Sequence, residues 1–177
     1  DIEVYEVDLP VNIARKEAVV RRVLGRQPPS VRLVPVDFER DDLAAELAKH
    51  GYRADSRTFF VWEGVTQYLT EDAVRATFSY LRSAAKGSLL VFTYVQRDFI
   101  DGLNLYGAAS AYRRFREREQ IWRFGLRPDE ISAFVSEYGW RLVEQAGPDY
   151  FVTHYIEPAR RDLSASELEW SAYVEKV

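Results

Sequence analysis

The sequence predicts an α/β protein with a Rossmann-like, doubly wound and mostly parallel sheet that ends in an antiparallel hairpin. Two observations support this fold class. Short runs of β-branched and aromatic residues alternate with helical patterns, as in βαβ units. The last two predicted strands are joined by a short connection that contains Gly147-Pro148, which implies that they are antiparallel.

The first half of the chain gives three steps of strand and helix. Strands are predicted at residues 2–7, 31–36 and 58–62. The first helix begins at Pro10, where the fixed φ of proline suits a first turn, and ends by Gly25. The second helix starts at Asp41-Asp42, and the third follows the N-cap Thr70 over residues 73–85. The third strand is almost continuously apolar, which predicts burial on both faces.

The second half breaks this alternation. A fourth strand is predicted at residues 88–95, and the polar and aromatic segment 96–124 is a predicted lid or substrate-binding insertion, helical over 107–119. A helix then starts at Pro128. The sequence predicts the closing hairpin at 140–145 and 150–156 and a final helix over 165–174.

Composition limits the classes of partner. The 177 residues are enough for one domain over 1–177, and a net charge of −4 disfavours nucleic acid. No apolar run reaches the roughly 18–20 residues that a membrane span needs, and no cysteine is present, so we expect a cytoplasmic location and no metal site. The chain starts at Asp1 and contains no methionine. This predicts a domain incomplete at its N-terminus, although selenomethionine omitted from the sequence would give the same zero count.

Carboxylates at the strand ends are the first candidates for ligand binding, because ligands of open α/β sheets bind beyond the carboxyl ends of the strands. Glu6 and Asp8 end the first strand, Asp37 and Phe38 follow the second, and Glu63 follows the third. Such carboxylates accept hydrogen bonds from hydroxyl and amino groups, but they also cap helices. For Glu63, which lies between Trp62 and Gly64, the alternative is a buried pair with an arginine.

Several motifs resemble those of the leucine carboxyl methyltransferase superfamily, and in particular its bacterial branch of candidate S-adenosylmethionine-dependent O-methyltransferases. The resemblance covers essentially the whole chain and rests on these segments: VYEVDLP (4–10), VPVDFERDDL (34–43), FFVWEGVTQYL (59–69), LVFTYVQRDF (90–99), YGWRLVEQ (138–145) and HYIEPARR (154–161). The first three, in this order, form a fairly specific set.

The resemblance implies a class I methyltransferase fold and S-adenosylmethionine as the cofactor. It implies that Asp8 binds the ribose, that Asp37 and Phe38 bind the adenine, and that Glu63 contacts the cofactor. Glu6 is an alternative for the ribose, because strand alternation places it on the same side as Asp8. The family's first strand, with its arginine and glycine-rich turn, has no counterpart in this sequence.

The acceptor site is less clearly marked. Methyl transfer is an in-line displacement that depends on alignment, and a carboxylate acceptor needs no base, whereas a hydroxyl acceptor can need one. The candidates for a base are Tyr94 and His154. Tyr68, Tyr106 and Arg114 are candidates for binding the substrate, although such tyrosines are often core residues and arginines often lie on a solvated helix face.

Two functions from different classes follow. The first is an O-methyltransferase that acts on a small-molecule or peptide carboxylate or on a hydroxyl compound. The second is a catalytically incomplete methyltransferase fold that serves as a binding or interaction module, possible as a homodimer because an unpaired strand edge invites pairing. A nicotinamide dehydrogenase is a weaker alternative, since neither a glycine fingerprint before the acidic strand end nor a Tyr/Lys pair is evident.

Overall fold

A computed structural model describes residues 2–177 and divides the chain into an N-terminal unit, Asp1–Ala54, and a C-terminal unit, Asp55–Val177. The N-terminal unit contains β1 (Val4–Asp8), α1 (Pro10–Leu24), β2 (Val31–Pro35) and α2 (Leu43–Lys49). The two strands are parallel, with Val4 opposite Val31 and Asp8 opposite Pro35. The predicted βαβ unit is therefore confirmed.

The ends of the helices in this unit follow the local signals in the sequence. Pro10 lies in the first turn of α1, and Gly25 ends that helix with a positive φ of 74°. Asp42 caps α2 by accepting a hydrogen bond from the backbone N–H of Ala45 at 3.1 Å. In α1 only Ile13 is buried, so most of its apolar side chains, including Val23, are exposed.

The C-terminal unit contains a four-stranded sheet in the order β3-β4-β6-β5. Its strands β3 and β4 are parallel, and β6 is antiparallel to both β4 and β5. Its elements in chain order are β3 (Phe59–Trp62), α3 (Glu71–Leu81), β4 (Leu89–Val95), α4 (Arg97–Ile100), α5 (Ala109–Ala111), α6 (Ile131–Ser136), β5 (Trp140–Ala146), α7 (Pro148–Phe151), α8 (Glu157–Ala159) and β6 (Glu169–Lys176).

One face of this sheet packs against α3 and α6. Phe78 of α3 is fully buried, with its ring 5.3 Å from that of Phe92 on β4 and 4.9 Å from that of Phe134 on α6. These edge-on ring contacts add to the apolar area that the face buries. Val74, Thr77 and Leu81 are buried on the same helix.

The other face of the sheet is open along β3. Phe59 is 60% and Val61 is 62% exposed, whereas Trp62, which points to the opposite side, is buried. The prediction that β3 is buried on both faces is therefore wrong. Apolar composition alone does not distinguish a strand covered twice from one covered once.

The end of the chain differs from the sequence prediction in two elements. Residues 150–156, predicted as a strand, form the end of α7 and a π-helical segment, Val152–Ile156. Residues 165–174, predicted as a helix, contribute to the strand β6. The predicted antiparallel pair exists, but its strands are β5 and β6. Residues 147–168 connect them, and not a tight turn. Pro148, in the first turn of α7, suits a helix start as well as a turn.

The segment 96–124 forms a small apolar cluster together with Val95 of β4 and Leu168. After α5 the chain continues as a π-helical stretch, Tyr112–Arg118, which confirms helical structure within 107–119. The buried residues Val95, Phe99, Ile100 and Leu168 contact Trp122 and other partly buried residues of the segment. Its role as a lid and the single-domain organisation stay predictions. Across residues 2–177, no helix combines the length and the apolar character that spanning a membrane demands.

Candidate functional site

In the N-terminal unit, Asp8 and Asp37 lie at the same edge of the two-stranded sheet. The backbone N–H of Val36 donates to the carbonyl oxygen of Asp8 at 2.8 Å, which places the two strand ends side by side. The Asp8 Oδ1 accepts from the N–H of Leu9 at 2.7 Å and from Nδ2 of Asn12 at 2.9 Å. Its Oδ2 has no hydrogen-bond partner within residues 2–177. Asp8 thus supports the start of α1 and keeps one oxygen available for a ligand.

Asp37, like Asp8, supports the local backbone and remains accessible to a ligand. Its Oδ1 accepts from the N–H of Glu39 at 3.0 Å, and its Oδ2 lies 3.7 Å from Nε of Arg40, an exposed side chain. Phe38 is half-buried beside it. Glu6, the alternative to Asp8, forms an ion pair with Lys16 of α1. A ligand would have to compete with that lysine, so Asp8 is the better placed of the two.

In the C-terminal unit, a cavity of about 380 Å³ opens on the uncovered face of the sheet, at the carboxyl ends of β3 and β4. This is the position where parallel strands present ligand-binding groups. Its volume lies within the usual range of small-molecule sites, roughly 300–1,000 Å³. The residues that line it are Glu63, Thr93, Phe151, Tyr155, Ile156, Ala165, Ser166, Glu169 and Ser171.

Glu63 is held at the mouth of this cavity by its neighbours. Gly64 has a φ of 67°, a conformation that favours glycine, and its N–H donates to Oγ1 of Thr93 at 2.9 Å. The hydroxyl of Thr66 donates to the carbonyl oxygen of Thr93 at 2.7 Å. The Glu63 side chain is exposed, and its carboxylate has no partner in the described part of the chain. The alternative of a buried pair with an arginine is therefore wrong.

Glu169 is a lining residue that the sequence reasoning missed. It begins β6 opposite Val95 of β4, is half-buried, and likewise has no ion-pair partner among residues 2–177. Ser171, opposite Thr93, shares its face of the sheet. The prediction of a helix over 165–174 concealed both residues. Alternation of Trp170, Ala172 and Val174 with polar residues is the signal that could have shown the strand.

Neither of the two candidates for a base is among the residues that line the cavity. Tyr94 is fully buried, its hydroxyl accepts from Nε2 of Gln145 at 2.7 Å, and burial raises the pKa of its phenol. His154 does not lie in a strand, as predicted, but in the π-helical segment Val152–Ile156. Its Nδ1 is 2.9 Å from the carbonyl oxygen of Tyr150, on whose ring it stacks at 4.2 Å.

The three candidates for substrate binding are engaged with other side chains, and none of them lines the cavity. The ring of Tyr68 contacts Trp122 edge-on at 6.3 Å. The Tyr106 hydroxyl donates to Oδ2 of Asp98 at 2.5 Å, and burial, together with this bond, raises the pKa of Tyr106 to about 12. Nε of Arg114 lies 2.8 Å from Oε1 of Glu119.

The groups available in both units fit an adenosyl ligand by their chemistry. Ribose hydroxyls and amines are donors, and the unshared carboxylate oxygens of Asp8 and Glu63 are acceptors. A Cβ placed on Gly64 would meet no atom within 4 Å, so the backbone beside Glu63 borders open space. Each unit on its own therefore presents acceptor groups of the required kind.

Comparison with known proteins confirms the resemblance. The leucine carboxyl methyltransferase family matches residues 1–82. A candidate S-adenosyl-L-methionine-dependent methyltransferase of Mycolicibacterium paratuberculosis is 32% identical over 154 residues, which are 78% of this chain and 45% of that protein. Another, of Mycobacterium tuberculosis, is 27% identical over 169 residues, 90% of this chain and 52% of that protein. The chain spans about half the length of these relatives.

Solved structures confirm the fold. A candidate methyltransferase from Thermobifida fusca superposes with a TM-score of 0.63 at 19% identity, over 98% of this chain and 63% of that one. A DUF574 family protein from Streptomyces avermitilis gives a TM-score of 0.60 at 20% identity, over 99% of this chain and 65% of that one. The α/β fold is that of the class I methyltransferases.

Proposed function

We propose that this chain, which resembles the leucine carboxyl methyltransferase family, acts as an S-adenosylmethionine-dependent O-methyltransferase. The observation that carries the proposal is the cavity at the carboxyl ends of β3 and β4, where Glu63 presents a carboxylate without a partner among the described residues. An unpaired carboxylate at this edge of an α/β sheet is available to a ligand that donates hydrogen bonds. We further propose a cytoplasmic protein without a nucleic-acid or membrane partner, in keeping with its charge of −4.

The cofactor roles are proposed residue by residue, as the resemblance implies them. Asp8 would accept hydrogen bonds from the ribose hydroxyls through its free Oδ2. Asp37 would accept from the adenine, and Phe38 would cover its ring. Glu63 would accept from a donor group of the cofactor. Bound S-adenosylmethionine supplies a methyl group on a sulfonium that leaves as a neutral thioether.

The cavity favours a hydroxyl acceptor over a carboxylate. Two of its lining residues, Glu63 and Glu169, carry carboxylates, and among the described residues no lysine, arginine or histidine lines it. An anionic acceptor would meet like charges there, which is unfavourable. A hydroxyl has to lose its proton as its oxygen takes the methyl group, and either carboxylate lies within the cavity to receive that proton.

Calorimetric titration of S-adenosylhomocysteine into the purified chain tests the cofactor site. We expect micromolar binding that weakens about tenfold, the value of one hydrogen bond to a charged group, in Glu63→Gln and in Asp37→Asn. Glu167→Gln is the matched control, because Glu167 is exposed and lies outside the cavity lining. Equal affinity in all four proteins would refute the proposed site.

The alternative, a binding module without catalysis, is favoured by one observation, the exposed apolar side chains of β3. Phe59 and Val61 are both more than half exposed on the open face, and exposed apolar patches often mark interfaces. The partner would be a second copy of the chain, giving a homodimer. Sedimentation velocity tests this: Val61→Glu should shift a dimer to monomer, whereas Val23→Glu, an exposed valine of α1, should not.

A further inference from the structure

We propose that the cavity of the C-terminal unit selects a positively charged acceptor, an ammonium-bearing hydroxyl compound with an aromatic or aliphatic body. In this view Glu169 is the residue that determines the choice. The inference rests on the proposed function, since it assigns a substrate class to the same cavity. It also gives a role to the carboxylate of Glu169, which none of the proposed cofactor contacts involves.

The charge of the lining is the first argument. Glu63 and Glu169 both contribute carboxylates, and neither has an ion-pair partner in the part of the chain that the structure describes. Both residues line the same cavity, so a bound cation meets negative charge there and an anion meets repulsion. An ammonium group donates three hydrogen bonds, so it can bind the carboxylate of Glu169 and further acceptors of the lining.

The polar floor of the cavity is the second argument. Thr93 of β4 and Ser171 of β6 are directly opposite each other in the antiparallel register, so their hydroxyls lie on the same face. The Thr93 hydroxyl is more than nine-tenths buried and already accepts from Gly64, which fixes its oxygen within the lining. Hydroxyl oxygens next to carboxylates add further acceptors for the hydrogens of an ammonium group.

The aromatic wall is the third argument. The rings of Phe151 and Tyr155 lie 6.2 Å apart and are inclined by 31°, so they form one continuous wall together with Ile156. Aromatic faces attract cations as well as apolar groups. A ligand with an apolar body and a cationic end therefore matches both the wall and the floor of the cavity.

Glu169 is better placed than Glu63 to determine specificity. It lies on β6, paired with Val95 of β4, whereas Glu63 lies in the loop that follows β3. A carboxylate on a paired strand loses less conformational freedom on binding, so more of its attraction appears as affinity. Glu63 is also the proposed contact of the cofactor.

Three probes of the same shape test the proposal: phenethylamine, 2-phenylethanol and 3-phenylpropanoate, which are cationic, neutral and anionic at pH 7. Each is titrated into the purified full chain and followed by NMR, and S-adenosylhomocysteine is titrated separately. We expect phenethylamine to bind more tightly than the other two. In Glu169→Gln its affinity should fall about tenfold, as expected for one charge-assisted hydrogen bond, while Glu167→Gln keeps it.

The outcomes separate this inference from the proposed function. Unchanged binding of S-adenosylhomocysteine in Glu169→Gln, together with the loss of phenethylamine, supports a cationic acceptor. Equal loss of both ligands would assign Glu169 to the cofactor and overturn the inference. No preference among the three probes would also overturn it and leave the proposed function standing. Phenethylamine binding without any S-adenosylhomocysteine binding would refute the proposed function and, with it, the acceptor role.

Discussion

Thr93 of β4 accepts a hydrogen bond from the backbone N–H of Gly64 at 2.9 Å and thereby fixes the loop that carries Glu63. The carbonyl oxygen of the same threonine accepts the hydroxyl of Thr66 at 2.7 Å. One residue of the sheet therefore positions the loop through both its side chain and its backbone. The orientation of the Glu63 carboxylate depends on a neighbouring strand and not only on its own.

Thr93→Val should loosen this loop, because the N–H of Gly64 loses its acceptor while the side-chain volume is kept. We expect the free energy of unfolding to fall by about 1–2 kcal/mol. Binding of S-adenosylhomocysteine should weaken as well. Denaturant unfolding and calorimetry measure the two effects, and Thr93→Ser, which keeps the hydroxyl, is the control. Wild-type stability and affinity in Thr93→Val would show that the bond does not order the loop.

Glu71 should make the free energy of unfolding depend on pH in the acidic range. Its carboxylate accepts from Nε of Arg75 at 2.9 Å, and this bond, followed by the charge of the arginine, lowers the pKa of Glu71 below its ordinary value of 4.5. A lowered pKa stabilises the folded state above pH 4.5, and this contribution is lost as the pH falls through the folded pKa. The pair is partly exposed, so the effect is small, about 0–1 kcal/mol.

Urea unfolding between pH 3 and pH 7 measures this dependence. Glu71→Gln should flatten it below pH 4.5. Arg75→Gln should flatten it only in part, because Nη2 of Arg97, 3.4 Å from Oε2 of Glu71, still pairs with the carboxylate. The double variant should add little to Glu71→Gln. If both single variants kept the wild-type pH profile, the ion pair would not contribute to stability.

Tyr106 should stabilise the segment 96–124. Its hydroxyl donates to Oδ2 of Asp98, whose Oδ1 is buried without a partner within residues 2–177. Tyr106→Phe would leave that carboxylate without this bond and should cost about 1–3 kcal/mol. Tyr68→Phe is the control, since Tyr68 is 42% exposed. Hydrogen exchange of the amides around residue 106 would locate the loss.

The raised pKa of Tyr106 predicts a second effect at alkaline pH. Its contribution to stability is complete below the ordinary tyrosine value of 10 and is lost as the pH rises through its folded pKa of about 12. NMR titration of the tyrosine Cζ resonances should show one signal that moves near pH 12 and disappears in Tyr106→Phe. A Tyr106 signal that titrates at pH 10 would contradict the prediction.

Gly147 should tolerate no side chain, because a Cβ there would lie 2.6 Å from the ring of Trp170. The indole N–H of Trp170 donates to the carbonyl oxygen of Glu167 at 3.2 Å, which holds the ring in place. Gly147→Ala should therefore destabilise the protein by about 1–3 kcal/mol through overpacking. Thermal unfolding measures this, and a second change, Trp170→Phe, should recover part of the loss. Equal melting temperatures for Gly147→Ala and wild type would exclude the clash.

Local signals account for the elements that the sequence predicted correctly. Pro10 and Gly25 bound α1, Asp42 caps α2, and Thr70 caps α3 by accepting from the N–H of Ala73 at 3.3 Å. Each of these effects acts within a few residues of the chain, so composition and spacing reveal them. The motifs around Asp8, Asp37 and Glu63 could be recognised for the same reason, since each is a contiguous segment.

The sequence by itself determined the class I α/β architecture, the first four strands and the carboxylates that follow three of them. Only the tertiary structure decided that residues 169–176 form a central strand, that one face of β3 is open, and that Glu169 and Ser171 join Glu63 and Thr93 around one cavity. The physical reason is that strand pairing and burial depend on partners distant in the chain, whereas periodicity reports only on neighbours. Glu169 and Glu63 are 106 residues apart in the sequence (169 − 63). Only the register of the sheet brings them to the same face of it.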